Sequence, residues 1–321
     1  MRELTIQKND AGQRLDKFLT KTLCNIPPAL LYKAIRTKKI KRNRKRTEGK
    51  EILSEGDTLQ LFLPEEFFKD SAGEDDGDLA RLTPKLSIVY EDAHILLLNK
   101  RPGVLVHEDS ENGGDTLIRH VQAYLFQKGE YDPTAEQSFA PALCNRIDRN
   151  TGGIVIAAKT AEALRVINEK IRTGEIRKFY LCAVHGIPRP KTARMTAYLI
   201  KNSKENTVRI YDRDPGHGAK EIITEYRVLA EKNGDALLEI ALLTGRTHQI
   251  RAHMAHIGHP LWGDGKYGIN RADRARGYKF QALCSYRLRF AFTEDAGELS
   301  YLAGKEFSIP EADIYFTKDF A

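Results

Sequence analysis

Residues 145–160, Asn-Arg-Ile-Asp-Arg-Asn-Thr-Gly-Gly-Ile-Val-Ile-Ala-Ala-Lys-Thr, constrain this chain more than any other stretch. The first half is polar and charged, and such groups are costly to bury unpaired. Gly152 and Gly153 follow, and glycines permit a tight turn and close backbone approach. The second half is an apolar, β-branched run with the pattern of a buried strand. One carboxylate, Asp148, thus lies between Arg146 and Arg149 on a turn that enters a core strand. The strand would fix the turn, and the flanking cations would favour the ionised acid. Such an acid is either a working group or a turn cap paired with an arginine.

The remaining composition narrows the class of protein. A length of 321 residues allows one large or two ordinary domains. Lys and Arg number 51 against 44 Asp and Glu, a basic balance that suggests a polyanionic partner. No apolar run approaches the roughly 20 residues that span a bilayer. The first residues lack a signal-peptide core. The four cysteines, Cys24, Cys144, Cys182 and Cys284, form no Cys-x-x-Cys pair and read as reduced core thiols. The expectation is a cytoplasmic protein that does not enter a membrane.

Near the start, Leu15, Phe18 and Leu19 share one helical face, and Leu30, Leu31, Ala34 and Ile35 share another. Eight cations in eleven residues come next: Arg36, Lys38, Lys39, Lys41, Arg42, Arg44, Lys45 and Arg46. Gly56-Asp57 then turns into an alternating strand, residues 58–63. A charge run of this kind is either a solvated face or a nucleic-acid contact. The segment is similar to the S4 RNA-binding module, most clearly at residues 14–19 and at Gly56-Asp57, which implies that the basic run binds RNA. Lys41-Arg42-Asn43 replaces the apolar-rich run usual there. Residues 66–84 hold Glu66, Asp70, Glu74, Asp75, Asp76 and Asp78 with few apolar anchors, the composition of a mobile acidic linker. The expected division is residues 1–65, the linker 66–84, and a large domain over 85–321.

In the large domain the pattern predicts two strands around residues 91–93, a helix over 116–127 and a strand at the Asp148 stretch. A helix capped by Thr160, a strand over 178–184 and a hairpin around Asn233-Gly234 follow. After the hairpin, Thr247 is placed to cap a helix that Gly258 ends. The histidines there, His248, His253, His256 and His259, are poorly spaced for one metal-binding face, and no metal is expected.

Three of these stretches carry a resemblance. Arg146, Asp148, Thr151 and Gly153 match the signature of the RluA family of RNA pseudouridine synthases, with Asn145 in place of its usual His and Gly152 in place of its usual Ser. Lys178-Phe179-Tyr180 matches the family's Lys-x-Tyr, and residues 245–253 are nearly identical to its Gly-Arg-Thr-His-Gln-Ile-Arg-x-His motif. Lys100, in Asn99-Lys100-Arg101-Pro102-Gly103, falls where the family has Asn-Lys-Pro-x-Gly; it is a backbone or phosphate contact, or a turn residue facing solvent. The family implies an α+β fold: a small S4-like module, then a catalytic domain with a mixed, largely antiparallel sheet. It implies isomerisation of uridine to pseudouridine in RNA without a cofactor. Asp148 would be the essential acid, Arg251 its partner, and Tyr180 the active-site tyrosine. Arg146, Arg149, Arg246 and His248 would contact RNA beside the site. A chain with an S4-like module resembles the branch that modifies large-subunit (23S-type) ribosomal RNA, so the expected partner is that RNA, met by a monomer. The alternatives are a tRNA-directed synthase and a non-catalytic RNA-binding protein.

Overall fold

The computed structural model describes residues 1–23, 26–68, 74–107 and 115–321. The chain divides into two units: Met1–Lys85, Arg119–Ala142 and Ala158–Arg165 form one, and Leu86–Ile118, Leu143–Ala157 and Val166–Ala321 the other.

The first unit opens with β1 (Arg2–Thr5), α1 (Leu15–Thr22), α2 (Pro28–Arg36), β2 (Ile40–Arg42), β3 (Lys45–Arg46) and β4 (Thr58–Leu61). The strands form an antiparallel sheet in the order β1-β4-β2-β3. Leu15, Phe18 and Leu19 of α1 and Leu31, Ala34 and Ile35 of α2 pack in one core with Leu59 and Leu61 of β4. Pro28 starts α2, where a missing N–H leaves no bond unmade.

The turn between β2 and β3 needs positive φ at both central residues, and Asn43 (50°) and Arg44 (65°) adopt it. The Asn43 side chain secures the turn: it donates to Asp57 Oδ1 at 2.7 Å and accepts from the Thr58 N–H at 2.9 Å. The hairpin thereby presents Arg44, Lys45 and Arg46 to solvent; Arg36, Lys38 and Lys39 are also exposed, and Lys41 lies over the exposed Phe62 ring. Arg42 differs from the expected RNA contact. It turns inward and pairs with Asp57 at 2.6 Å and Glu51 at 3.4 Å, so it braces the hairpin.

The acidic stretch read as a mobile linker contains a helix, α3 (Glu74–Arg81). One apolar residue, the buried Leu79, anchors it, and the Gln127 amide donates to the carbonyls of Leu79 and Leu82 at 2.9 and 2.7 Å. Asp70 lies outside the described residues.

Next in the chain come β5 (Ile88–Glu91), β6 (Ile95–Lys100), α4 (Leu117–Gln127), β7 (Ala142–Leu143), β8 (Gly152–Ala158), α5 (Ala161–Arg172) and β9 (Ile176–Val184). The chain continues through β10 (Thr192–Asn202), β11 (Thr207–Tyr211), β12 (Lys220–Lys232), β13 (Asp235–Leu242), α6 (Gln249–His256), α7 (Arg271–Ala275), β14 (Leu283–Phe290) and β15 (Glu306–Ser308). Among the described residues the strands join one sheet in the order β11-β10-β12-β13-β9-β14-β8-β6-β5, with β15 on β14 and β7 on β8. From β11 through β14, and between β5 and β6 and between β14 and β15, neighbours pair antiparallel, while β14 meets β8 in a short parallel contact. The fold is α+β with a largely antiparallel sheet. Every residue of β8 is buried, as its apolar run requires. Thr160 caps α5 by accepting from the Ala163 N–H at 3.1 Å.

The hairpin β10–β11 goes beyond the sequence reading. It buries one face only, where Ala197, Leu199 and Val208 pack with Ala252 of α6. Cys182 and Cys284 are buried free thiols and Cys144 is half-buried, while Cys24 lies outside the described residues. Among the described residues no helix is long and apolar enough to cross a membrane.

Candidate active site

The turn that carries Asp148 is fixed from three sides. Below it, Gly153 has φ of 114° and pairs in parallel with Ser285 of β14. A Cβ there would lie 2.3 Å from the Ser285 carbonyl oxygen, so only glycine permits this approach. At Gly152 the space a side chain would fill faces the Pro102 ring, 3.3 Å from a built Cβ. A side chain there would need the ring to give by a few tenths of an ångström. Asn145 serves locally as well. Its carboxamide oxygen accepts from the Ile156 N–H at 2.8 Å and extends the β7–β8 pairing.

Lys100 supplies the third brace. It is buried, and its Nζ donates to the carbonyls of Arg149 (2.8 Å), Val104 (3.0 Å) and Arg101 (3.2 Å). Burial pulls its ammonium down to about 8. It is a backbone contact, and neither a solvent-facing turn residue nor placed to meet a phosphate. Within the turn, the Thr151 N–H donates to the Asp148 carbonyl at 3.0 Å.

Asp148 takes its charge partner from α6 and not from the arginines beside it in sequence. Arg146 and Arg149 are exposed, with Arg149 Nε donating to the Gly103 carbonyl at 3.1 Å. Alternate residues of a turn point apart, so sequence neighbours of the acid are poorly placed to reach it. Arg251 reaches it instead, with Nη1 2.9 Å from Asp148 Oδ2. The same guanidinium makes two parallel bonds to Asp264, Nε to Oδ2 at 2.7 Å and Nη2 to Oδ1 at 2.8 Å. Burial opposes both charges of this inner pair. The hydrogen bonds and mutual attraction outweigh it, raising the Arg251 pKa and lowering that of Asp264. Exposure falls inward along the row: the Asp148 side chain is 28% exposed, Arg251 9% and Asp264 1%.

His248 stands beside the acid, Nε2 3.8 Å from Asp148 Oδ2. Its Nδ1 is 2.8 Å from the Tyr267 hydroxyl, which accepts from the Val208 N–H at 2.9 Å. The hydroxyl can donate its own proton to Nδ1, in the tautomer that keeps a proton on Nε2 facing Asp148. Burial pushes the imidazole down to about 4, so it is neutral at physiological pH. His248 also begins α6, in a left-handed conformation (φ 53°). This corrects the expected cap at Thr247, which is exposed. The first turn is held by the Gln249 carboxamide, which accepts from the Arg246 N–H at 3.1 Å and from the Thr244 hydroxyl at 2.9 Å.

Tyr180 of β9 is buried, opposite Ser285 in the sheet register, and burial pushes its phenol up to about 12. Lys178, two residues earlier on the same strand face, is half-buried with its pKa lowered by burial. Asp148, Tyr180, His248 and Arg251 all line one cavity of about 970 Å³. Among the described residues Asp148 is the single carboxylate in that lining, set among cations that include Arg146, Arg149, Lys178, Arg246 and Lys266. The remaining histidines of this region meet separate partners: His253 meets Thr224, His256 meets Asp212, and His259 meets the His185 carbonyl. One arginine-paired carboxylate, a buried phenol and a basic rim suit a single anionic nucleotide strand with one base turned inward.

Sequence reading brings Asp148, Tyr180 and Arg251 together through motifs. It assigns no role to Asp264, Tyr267, Lys178 or Gln281. The loop holding Asp264 and Tyr267 follows the helix of the last motif, yet nothing local shows that a lone Asp after a glycine will meet an arginine from another element.

A family model described as RNA pseudouridylate synthase matches residues 94–256. The chain is 34% identical over 281 residues to the ribosomal large subunit pseudouridine synthase C of Buchnera aphidicola subsp. Baizongia pistaciae, covering 84% of this chain and 82% of that one. It is 32% identical over 276 residues to the protein of the same name from Escherichia coli strain K12, covering 84% and 81%. Among solved structures, human RNA Pseudouridylate Synthase Domain Containing 1 aligns with a TM-score of 0.55 at 22% identity, over 71% of this chain and 84% of that one. That likeness is one of fold.

Proposed function

Because the chain belongs to the RNA pseudouridylate synthase family, we propose that its substrate is large-subunit ribosomal RNA and that Asp148 is its reacting carboxylate. The chain is an RNA pseudouridine synthase, an isomerase. The N1–C1′ bond of a uridine breaks, the uracil turns, and a C5–C1′ bond forms; C5 loses a proton and N1 gains one. Nothing is oxidised and no group leaves the RNA, so the reaction is complete without a cofactor.

The observation that carries the assignment is that Asp148 is, among the described residues, the one carboxylate lining the cavity. It can attack C1′ or take a proton from the sugar, and both routes use the carboxylate that Arg251 holds. Tyr180, protonated at physiological pH, supports the base as a phenol. The target uridine enters by flipping out of its stack. Arg146, Arg149 and Arg246 meet the flanking phosphates.

Residues 1–65 act as an S4-like RNA-binding module, joined by 66–84 to the catalytic region 85–321. The exposed hairpin cations Arg44, Lys45 and Arg46 support this reading. The enzyme works as a cytoplasmic monomer on RNA of the kind named for its curated relatives. Mapping pseudouridine in ribosomal and transfer RNA from a strain lacking the gene tests the substrate. Loss at large-subunit positions is expected. Loss confined to transfer RNA would contradict it, and no loss at all would favour a non-catalytic RNA-binding protein.

A further inference from the structure

Gln281 stands at the entry to β14, 3% exposed, and lines the same cavity. Its Nε2 donates to the Thr151 hydroxyl at 3.2 Å. Among the described residues nothing donates to its carboxamide oxygen, and its second N–H has no acceptor. An amide with an idle acceptor and an idle donor, on a residue that lines the cavity, is therefore a recognition group in waiting.

We infer that Gln281 reads the imide edge of the flipped uracil. Uracil carries one donor, N3–H, between the acceptors O2 and O4. A primary amide is its complement: the carbonyl accepts from N3–H while the free N–H donates to O4 or O2. Thr151 sets the amide's orientation, and its own N–H holds the Asp148 carbonyl at 3.0 Å. One hydroxyl thus ties the base reader to the turn carrying the acid. Leu283, two residues on, also lines the cavity, an apolar surface for the ring beside the polar edge. Cytosine lacks the N3–H and would leave the carbonyl of an amide held this way unpaired. Sites that hydrogen-bond a substrate group reject analogues lacking it more strongly than apolar pockets reject a change of size.

This inference rests on the cavity at Asp148 being the uridine site. The test uses the full-length enzyme under single-turnover conditions with a short RNA containing the mapped target. In one RNA the target is uridine, and in the other N3-methyluridine. Wild type should convert the uridine RNA at least about 100-fold faster, while binding the two RNAs within about 3-fold, since phosphates supply most of the affinity. Gln281→Ala should slow the uridine reaction about 10- to 100-fold and shrink the preference for uridine to within about 5-fold, because both the acceptor and the crowding are removed. Equal slowing on both RNAs, with the wild-type preference kept, would overturn the inference and leave Gln281 a brace for Thr151. So would a wild-type enzyme that converts both RNAs at the same rate, a result independent of any variant's folding. Failure of wild type to convert the uridine RNA would instead count against the site assignment itself.

Discussion

Arg251 and Asp264 meet through two parallel hydrogen bonds, 2.7 and 2.8 Å long, and this fixes the one guanidinium nitrogen that reaches Asp148. Arginine's planar fork suits this geometry, since two bonds on one edge determine where the third points. Asp264 acts only through Arg251; it sets the direction of the cation that pairs with Asp148.

Arg251→Ala should therefore cost more than Arg149→Ala in activity and in stability. Removing Arg251 leaves two carboxylates without their shared cation, one of them 1% exposed, and a broken buried pair typically costs about 3–5 kcal/mol. Arg149 is exposed and its side chain makes a single bond to a carbonyl, so about 0.5 kcal/mol is expected there. Urea denaturation and single-turnover rates measure both. Equal losses in the two variants would refute the ranking.

The site was legible in sequence where its determinants are local. Polar residues, two glycines and an apolar run announce a turn entering a strand, and Gly153 and Asp148 follow from that pattern. Arg251 and Tyr180 entered only through resemblance, because periodicity does not distinguish a core tyrosine from one facing a cavity. The roles of Asp264 and Gln281 were not legible, since they depend on partners brought from other elements. Arg146 and Arg149 misled for the opposite reason: adjacency in sequence is not adjacency of side chains on a turn. The hairpin β10–β11 escaped because lysines, threonines and alanines dilute the alternation of a strand that buries a single face. Helix α6 was recognised but its start was not, because a left-handed His248 held by Tyr267 replaces the side-chain cap that Thr247 suggested.

Replacing Arg44, Lys45 and Arg46 together by alanine should weaken RNA binding and make the slope of log affinity against log salt shallower by about 2–3 units, as three lost phosphate contacts would. The hairpin should survive, since Asn43, Arg42 and Asp57 hold it. Chemistry on bound RNA should change little. An unchanged salt slope would reduce the run to a solvated face.

Acid should destabilise the fold partly through His253. Burial holds its imidazole at about 4, below the ordinary 6.5, and it is 2% exposed beside Thr224. Between these values the unfolded chain binds a proton that the folded chain does not. The stability is thus fully present above pH 6.5 and declines as the pH falls toward 4. From about pH 7.5 to about pH 5 this one group accounts for about 2 kcal/mol. Urea titrations at the two pH values should show a smaller decline for His253→Gln than for wild type. Identical declines would remove His253 from the explanation.

The central claim is that Asp148 carries the isomerisation, and tritium release from RNA labelled at uridine C5 tests it most directly. Wild type should release tritium while leaving the RNA chain intact and no free uracil. Asp148→Asn should release none above background, yet bind the same RNA within about 3-fold, because phosphate contacts supply most of the affinity. Release by Asp148→Asn at a rate comparable to wild type would contradict the assignment outright.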